Sequence, residues 1–229
     1  MKKVYFLVAF LGAITCSCLA QDVNMVMQKV KEKLNLVNDY EATGKMKTNI
    51  VFLKVPIANV KIYFKKPNRL KIKNEKGISF IPKGAVSINL NNTISENKFT
   101  ALDAGILKMG NVNVRVIKLL PADEENDMVL STLYVDENYL VRKCRTTTKD
   151  KGTYELEMSY GKYAQYGLPD KVFFTFNTKD YKIPKGLTFD FNEGNAKKAG
   201  DKMKAKKGTI EITYFSYLIN KGIPDAVFQ

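Results

Sequence analysis

From Val60 to Lys73 apolar and polar positions alternate: Val60, Ile62 and Phe64 are separated by Lys61 and Tyr63, and Leu70 and Ile72 are set among Arg69, Lys71 and Lys73. A period of two puts every second side chain on one face, so the stretch predicts two strands with an apolar face and a wet face. Between them stands Lys66-Pro67-Asn68. Pro67 has no amide hydrogen for a ladder and Asn68 tolerates turn geometry, so the chain reverses there.

The period differs upstream. Val23, Val26, Met27, Val30, Leu34 and Val37 recur at threes and fours, which predicts an amphipathic helix from Asp22 to Tyr40 with Asp22 as its cap. Such a helix needs a sheet to lie on. Glu41 to Val55 reads as the first strand, with Gly44 marking a bend and Pro56 an end. Beyond residue 73, Ile78 to Ile81 and Val86 to Leu90 read as strands around Pro82-Lys83-Gly84. Between Ser95 and Gly105 the alternation stops. There Phe99, Leu102 and Ile106 are spaced like one face of a short helix capped by Ser95, which reads equally as a lid or as a plain crossover.

Strands resume with Val112, Val114 and Val116 on one face and Asn113, Arg115 and Ile117 on the other. Four more follow: Met128 to Val135, Leu140 to Thr147, Tyr154 to Tyr160 and Val172 to Asn177, divided by turn residues about every ten positions. Leu187, Phe189 and Phe191 make another short strand, and Thr209 to Leu218 the last. Glu193 to Gly208 is rich in lysine, glycine and alanine, has no apolar face and reads as a surface loop.

The fold class is therefore mainly β with α: a curved antiparallel sheet of about ten or eleven strands forming an open, incomplete barrel, capped by the N-terminal helix and a short lid helix. Side chains just fill a barrel of about eight strands, and a wider one leaves space for a helix or a ligand. The residues expected to line that space are Ile62, Phe64, Leu70, Ile72, Phe80, Val114, Val116, Phe174 and Phe176. Phe99, Leu102 and Ile106 are the lid candidates.

The amino terminus adds a compartment. Lys2 and Lys3 precede an apolar run from Val4 to Ile14, with small residues at Ser17 and Ala20, the layout of a secretory signal cleaved after Ala20. The run is too short to span a bilayer. Residues 1–20 are thus a signal peptide and 21–229 a single domain, exported to the periplasm. Cys16 and Cys18 offer the alternative of a lipoprotein signal that leaves the chain anchored to a membrane. Cleavage after Ala20 leaves Cys144 as the sole cysteine, so no internal disulfide forms.

The formal net charge is +14. Such a balance favours anionic partners, and export argues against nucleic acid. Lys197, Lys198, Lys202, Lys204, Lys206 and Lys207 read either as a solvated loop or as a contact for anionic headgroups.

Catalytic chemistry has little to work with. The chain contains no histidine, which removes the commonest general base and metal ligand. Glu155 and Glu157 share a strand face about 7 Å apart, a separation like that of glycosidase carboxylates. Leu156 and Met158 alternate inward, however, so the glutamates face water. Cys144 lies between Lys143 and Arg145, but neighbours on a strand point to opposite faces, so the thiol is read as inert. The run Asp123-Glu124-Glu125-Asn126-Asp127 lacks the ligand spacing of a calcium loop and reads as a hairpin tip. No catalytic residue, metal site or cofactor is expected.

Several segments resemble the LolA/LolB superfamily of periplasmic lipoprotein carriers, particularly the divergent outer-membrane lipoprotein-sorting proteins. They are the opening helix running into Val37-Asn38-Asp39-Tyr40-Glu41-Ala42-Thr43-Gly44, the strand ending Tyr63-Phe64-Lys65-Lys66-Pro67-Asn68-Arg69-Leu70, Gly161-Lys162-Tyr163 to Leu168-Pro169 before Val172-Phe173-Phe174, and the closing Tyr214-Phe215-Ser216-Tyr217. The resemblance implies a half-barrel whose apolar cavity holds acyl chains, with an arginine near the start of the sheet tying down the lid. Arg69 is the nearest candidate for that arginine and Arg115 the second. It implies a monomeric, non-enzymatic carrier whose partners are lipid or lipoprotein acyl chains, an outer-membrane receptor or an anionic membrane surface. The alternative is an envelope structural or sensing module that recognises a protein partner and binds no lipid. A carboxylate-dependent hydrolase is the third reading.

Overall fold

The computed structural model describes residues 22–49, 57–74, 79–80, 90, 94, 98–150, 152–177 and 207–228. Outside those residues lie the expected signal segment with Cys16 and Cys18, the strand expected at Leu187 to Phe191, and Lys197, Lys198, Lys202, Lys204 and Lys206.

Helix α1 spans Val23–Asn35, where the Asp22 side chain accepts a hydrogen bond from the Asn24 amide at 3.0 Å. Its buried face is Val26, Met27 and Val30, and its outer face carries a Lys29–Glu32 pair at 2.9 Å. The helix ends earlier than its apolar period suggests. Asn220 donates from its side-chain amide to the Leu36 carbonyl at 2.8 Å and accepts from the Asn38 amide at 2.7 Å, which turns the chain into a strand at Asp39.

Among the described residues eleven strands follow: β1 Asp39–Asn49, β2 Ala58–Lys65, β3 Arg69–Asn74, β4 Ser79–Phe80, β5 Phe99–Met109, β6 Val112–Pro121, β7 Met128–Asp136, β8 Val141–Thr148, β9 Gly152–Ser159, β10 Lys171–Asn177 and β11 Lys207–Ile219. They form one antiparallel sheet in the order β4-β3-β2-β1-β11-β10-β9-β8-β7-β6-β5. Two meanders are sewn together by the last strand, which lies between β1 and β10. The sheet does not close, leaving β4 and β5 at opposite edges: an open, curved barrel, as the alternating pattern predicts. The expected loop to Gly208 ends earlier, because Lys207 and Gly208 pair with Asn177 and Phe176 as the start of β11.

One face of the sheet holds the core. Ile62, Ala42, Ile212, Val172, Leu156, Cys144, Leu133 and Ile117 run across it from β2 to β6, and α1 packs over them through Val26, Met27 and Val30. Close approach at the central seam requires Gly44, since a Cβ there would stand 2.5 Å from the Thr213 carbonyl oxygen.

Where the lid helix is expected, between Ser95 and Gly105, the residues from Phe99 onward are strand, and Ser95 lies outside the described residues. Phe99 and Ile106 face Pro121 and Arg115, while Leu102 faces Lys118 on the other side of the sheet. A bulge between Asp103 and Ile106, with Gly105 at φ +89°, inserts an extra residue, so Phe99 and Ile106 share a face although an odd number of positions separates them. Leu90, expected in a strand, is helical, as is Ile94, and both are buried. They lie in the connection between the two outermost strands.

Candidate functional site

The cleft beneath α1 is bounded by the end of the helix, the first hairpin and the central strands. Leu34 and Val37 come from the helix and its exit, Tyr40 from β1, Ile62 and Phe64 from β2, and Leu70 and Ile72 from β3. Val172, Ile212 and Tyr214 close the floor, and Leu90 and Leu168 the sides. No described lining residue carries a charge. The enclosed space is about 70 Å³.

The polar side-chain atoms along the cleft are tyrosine hydroxyls. Tyr40 and Tyr214 hydrogen-bond to each other, and burial raises both phenols above their ordinary range, so both stay protonated at neutral pH. Tyr40 packs at 5.2 Å against a tilted Phe64 ring and meets Tyr217 edge-on at 5.2 Å, and Tyr217 donates to the Pro169 carbonyl at 2.7 Å. With the Tyr40 and Tyr214 hydroxyls paired to each other and no charge to offer, the cleft is suited to apolar shape more than to a directed polar group.

Four of the expected lining residues meet there: Ile62, Phe64, Leu70 and Ile72. Phe174 and Phe176 share the inner face but stack on each other at 5.2 Å, with Tyr154 against Phe174 at 5.7 Å, as ordinary core. Phe80 is described only through its backbone, opposite Ile72. Val114 and Val116 fall on the other face, because Ile117 and Leu119 of the same strand enter the core with α1. Both valines are buried all the same, opposite Asp136 and Tyr134, so hydrophobicity alone could not identify the inner face of β6. The sequence reading omitted Leu34, Val37, Tyr40, Leu168, Val172, Ile212 and Tyr214. The alternation Ile210, Ile212, Tyr214 would have found the β11 pair.

The two arginines have other engagements. Arg69 pairs with Asp225 at 3.0 Å and lies over the Phe228 ring at 5.5 Å, while Lys65 donates to Asp225 at 2.5 Å and to the Ile223 carbonyl at 2.9 Å. Together they clamp the C-terminal turn Asp225–Phe228 onto the β2–β3 hairpin. Arg115 pairs with Asp103 at 2.5 Å and holds its carboxyl below the usual range, helped by the Gly105 amide. Arg69 has no described contact to α1, and Arg115 reaches it only through the charge of Asp22, the helix cap.

Glu155 and Glu157 stand on the outer face, where Lys143 bridges them at 2.9 and 3.0 Å. Cys144 is fully buried against the Ser131 and Thr146 hydroxyls, and burial pushes its thiol up. The acidic tip at Asp123 to Asp127 is a turn in which Asp123 accepts from the Glu125 amide and the Lys149 ammonium caps the Glu124 carbonyl. A wider hollow of about 480 Å³ lies between the β5–β6 hairpin and strands β9–β11. Its charged groups already pair with neighbours, Lys171 with Glu211 at 2.8 Å and Arg142 with Asp136 at 2.6 Å. The smaller cleft is the better candidate because no described residue lining it carries a charge.

No family model matches the chain, and no curated protein matches it by sequence. Solved structures do. A LolA superfamily protein from Nitrosomonas europaea superposes over 92% of this chain and 98% of its own with a TM-score of 0.54 at 11% identity. An outer membrane lipoprotein-sorting protein domain from Vibrio parahaemolyticus covers 91% of this chain and 97% of its own, with a TM-score of 0.55 at 10% identity. A DUF1329 family protein from Desulfovibrio piger gives 0.55 at 11% identity over 90% of this chain and 97% of its own. The chain has a LolA-like fold, with sequences this far apart.

Proposed function

We propose that the mature chain is a cell-envelope carrier, not an enzyme, that holds the acyl chains of a lipid or lipoprotein in the cleft beneath α1. The observation that carries this reading is the charge-free lining, and similarity to a lipoprotein-sorting domain supports it. Burying an acyl chain is worth about 0.8 kcal/mol per methylene, so a free lipid does not cross water unaided.

At about 70 Å³ the cleft is far smaller than an occupied ligand site, which typically spans about 300–1,000 Å³. Cargo therefore enters by displacing α1. The helix packs through three buried side chains, each worth about 1.5–3 kcal/mol. Ten methylenes return about 8 kcal/mol, a similar sum, so one acyl chain of ordinary length offsets the loss. An exported, positively charged carrier would then meet an anionic membrane surface or an outer-membrane receptor.

The protein without residues 1–20 is expected to bind a fluorescent fatty acid, and Leu34→Gln to weaken that binding about tenfold while leaving the fold intact. Protein that is lipid-free on extraction and binds no fluorescent fatty acid refutes the carrier. That outcome supports the second reading, which the small enclosed volume favours: an envelope module whose interior is filled by its own side chains and which recognises a protein partner.

A further inference from the structure

The two edges of the sheet are unlike. β4 is two residues long, whereas β5 runs for eleven and pairs only with β6 among the described residues. Edge strands carry a row of unpaired amides and carbonyls, and proteins usually shorten or cover them. β5 is exposed over most of its length. Leu102 is 46% exposed and Leu107 40% on one face, and Ile106 73% on the other. The bulge at Asp103 to Ile106 does not fray the strand, because Arg115 and the Gly105 amide both bind the Asp103 carboxylate.

Along the strand the exposed charges are mostly positive, and the acidic tip of Asp123, Glu124 and Glu125 stands just past its Lys98 end. Lys98, Lys108 and Lys118 are exposed, and Lys31 of α1 reaches the Phe99 ring at 4.5 Å. Asp103, the acidic residue of the strand, is already neutralised by Arg115. We propose that β5 is a docking edge for an extended segment of a partner protein that is acidic and alternates with apolar residues. The segment adds a twelfth strand. Backbone hydrogen bonds hold it, its apolar positions meet Leu102 and Leu107 on one face, and its carboxylates on the other face meet Lys108 beside Ile106.

A second copy of this chain fits poorly. Antiparallel pairing of two β5 edges sets Lys98 of each against the Lys108 end of the other, and each chain has a formal charge of +14 before export. The inference gives a surface to the partner-binding reading, but it rests on the edge alone and holds whether or not the cleft takes lipid.

The test uses the full mature chain and an eleven-residue peptide of alternating glutamate and valine, with a lysine–valine peptide as comparison. Hydrogen exchange of amides in 99–109 is expected to slow at least tenfold with the glutamate peptide and to stay unchanged with the lysine one. The double variant Leu102→Glu, Ile106→Glu is expected to weaken glutamate-peptide binding at least tenfold, whereas Val129→Glu, on another exposed apolar residue of β7, leaves it unchanged. If the double variant does not fold, the exchange footprint on the unaltered chain decides. No slowing in 99–109, protection only elsewhere, equal binding of the lysine peptide, undiminished binding by a folded double variant, or dimerisation through β5 would each overturn the proposal. Fatty-acid binding, measured separately, reports on the cleft and not on the edge.

Discussion

Cys144 shows how far strand parity reaches. It sits between two cations in sequence, yet Lys143 and Arg145 turn outward to Glu155 and Glu157 while the thiol faces the core against Ser131 and Thr146. That placement was legible, because adjacent strand residues point opposite ways. The thiol is expected to resist a thiol reagent in the native protein and to react at the ordinary rate in denaturant. Labelling that is equally fast in both would contradict its burial. Asp103 offers a second residue-scale check. Its hydrogen bonds from Arg115, then from the Gly105 amide, lower its folded pKa, so the stabilisation they give is complete above the ordinary carboxylate range and fades as pH falls through the lowered value. A carboxyl shift followed by NMR should titrate below the usual aspartate range, and Arg115→Gln should bring it back. None of this pairing was legible, since the bulge that brings the two together leaves no mark beyond Gly105.

At the scale of elements, the amphipathic helix and the β2–β3 hairpin were predictable from period alone, and both ladders run as the alternation requires. The end of the helix was not. Val37 continues the apolar period, but the turn at Leu36 is set by Asn220, far along the chain, whose side chain reaches three backbone groups there. Asn220 also holds φ +55°, in the left-handed region that asparagine tolerates and alanine does not. Asn220→Ala should therefore cost about 1–3 kcal/mol for the lost hydrogen bonds and about 1 kcal/mol more for the backbone. Asn220→Gly should recover only the backbone part. Denaturant titration of both variants separates the two, and equal stabilities would show that the conformation contributes nothing. β5 misled for the opposite reason, a local irregularity that imitates helical spacing.

The whole molecule follows from one asymmetry: an eleven-strand sheet that does not close among the described residues, with one long described helix to cover it. Alternation exposed the sheet and its apolar face, but not which valines of β6 turn inward, since both faces of that strand are buried. Nor could it show how tightly the interior fills. Because the cleft is nearly full, its lining also stabilises the fold. Phe64 is 1% exposed, and Phe64→Ala should cost about 3–5 kcal/mol, read from chemical denaturation. Gly44→Ala, which drives a methyl into the Thr213 carbonyl, should cost about 1–3 kcal/mol at the seam joining the two meanders. In the proposed carrier role α1 is closed without cargo, and its contacts are traded for acyl contacts on loading. Native mass spectrometry of the intact protein taken from its own envelope tests this most directly. The account predicts a population carrying the added mass of a lipid or lipoprotein, lost on organic extraction, and a uniformly bare protein mass would contradict it.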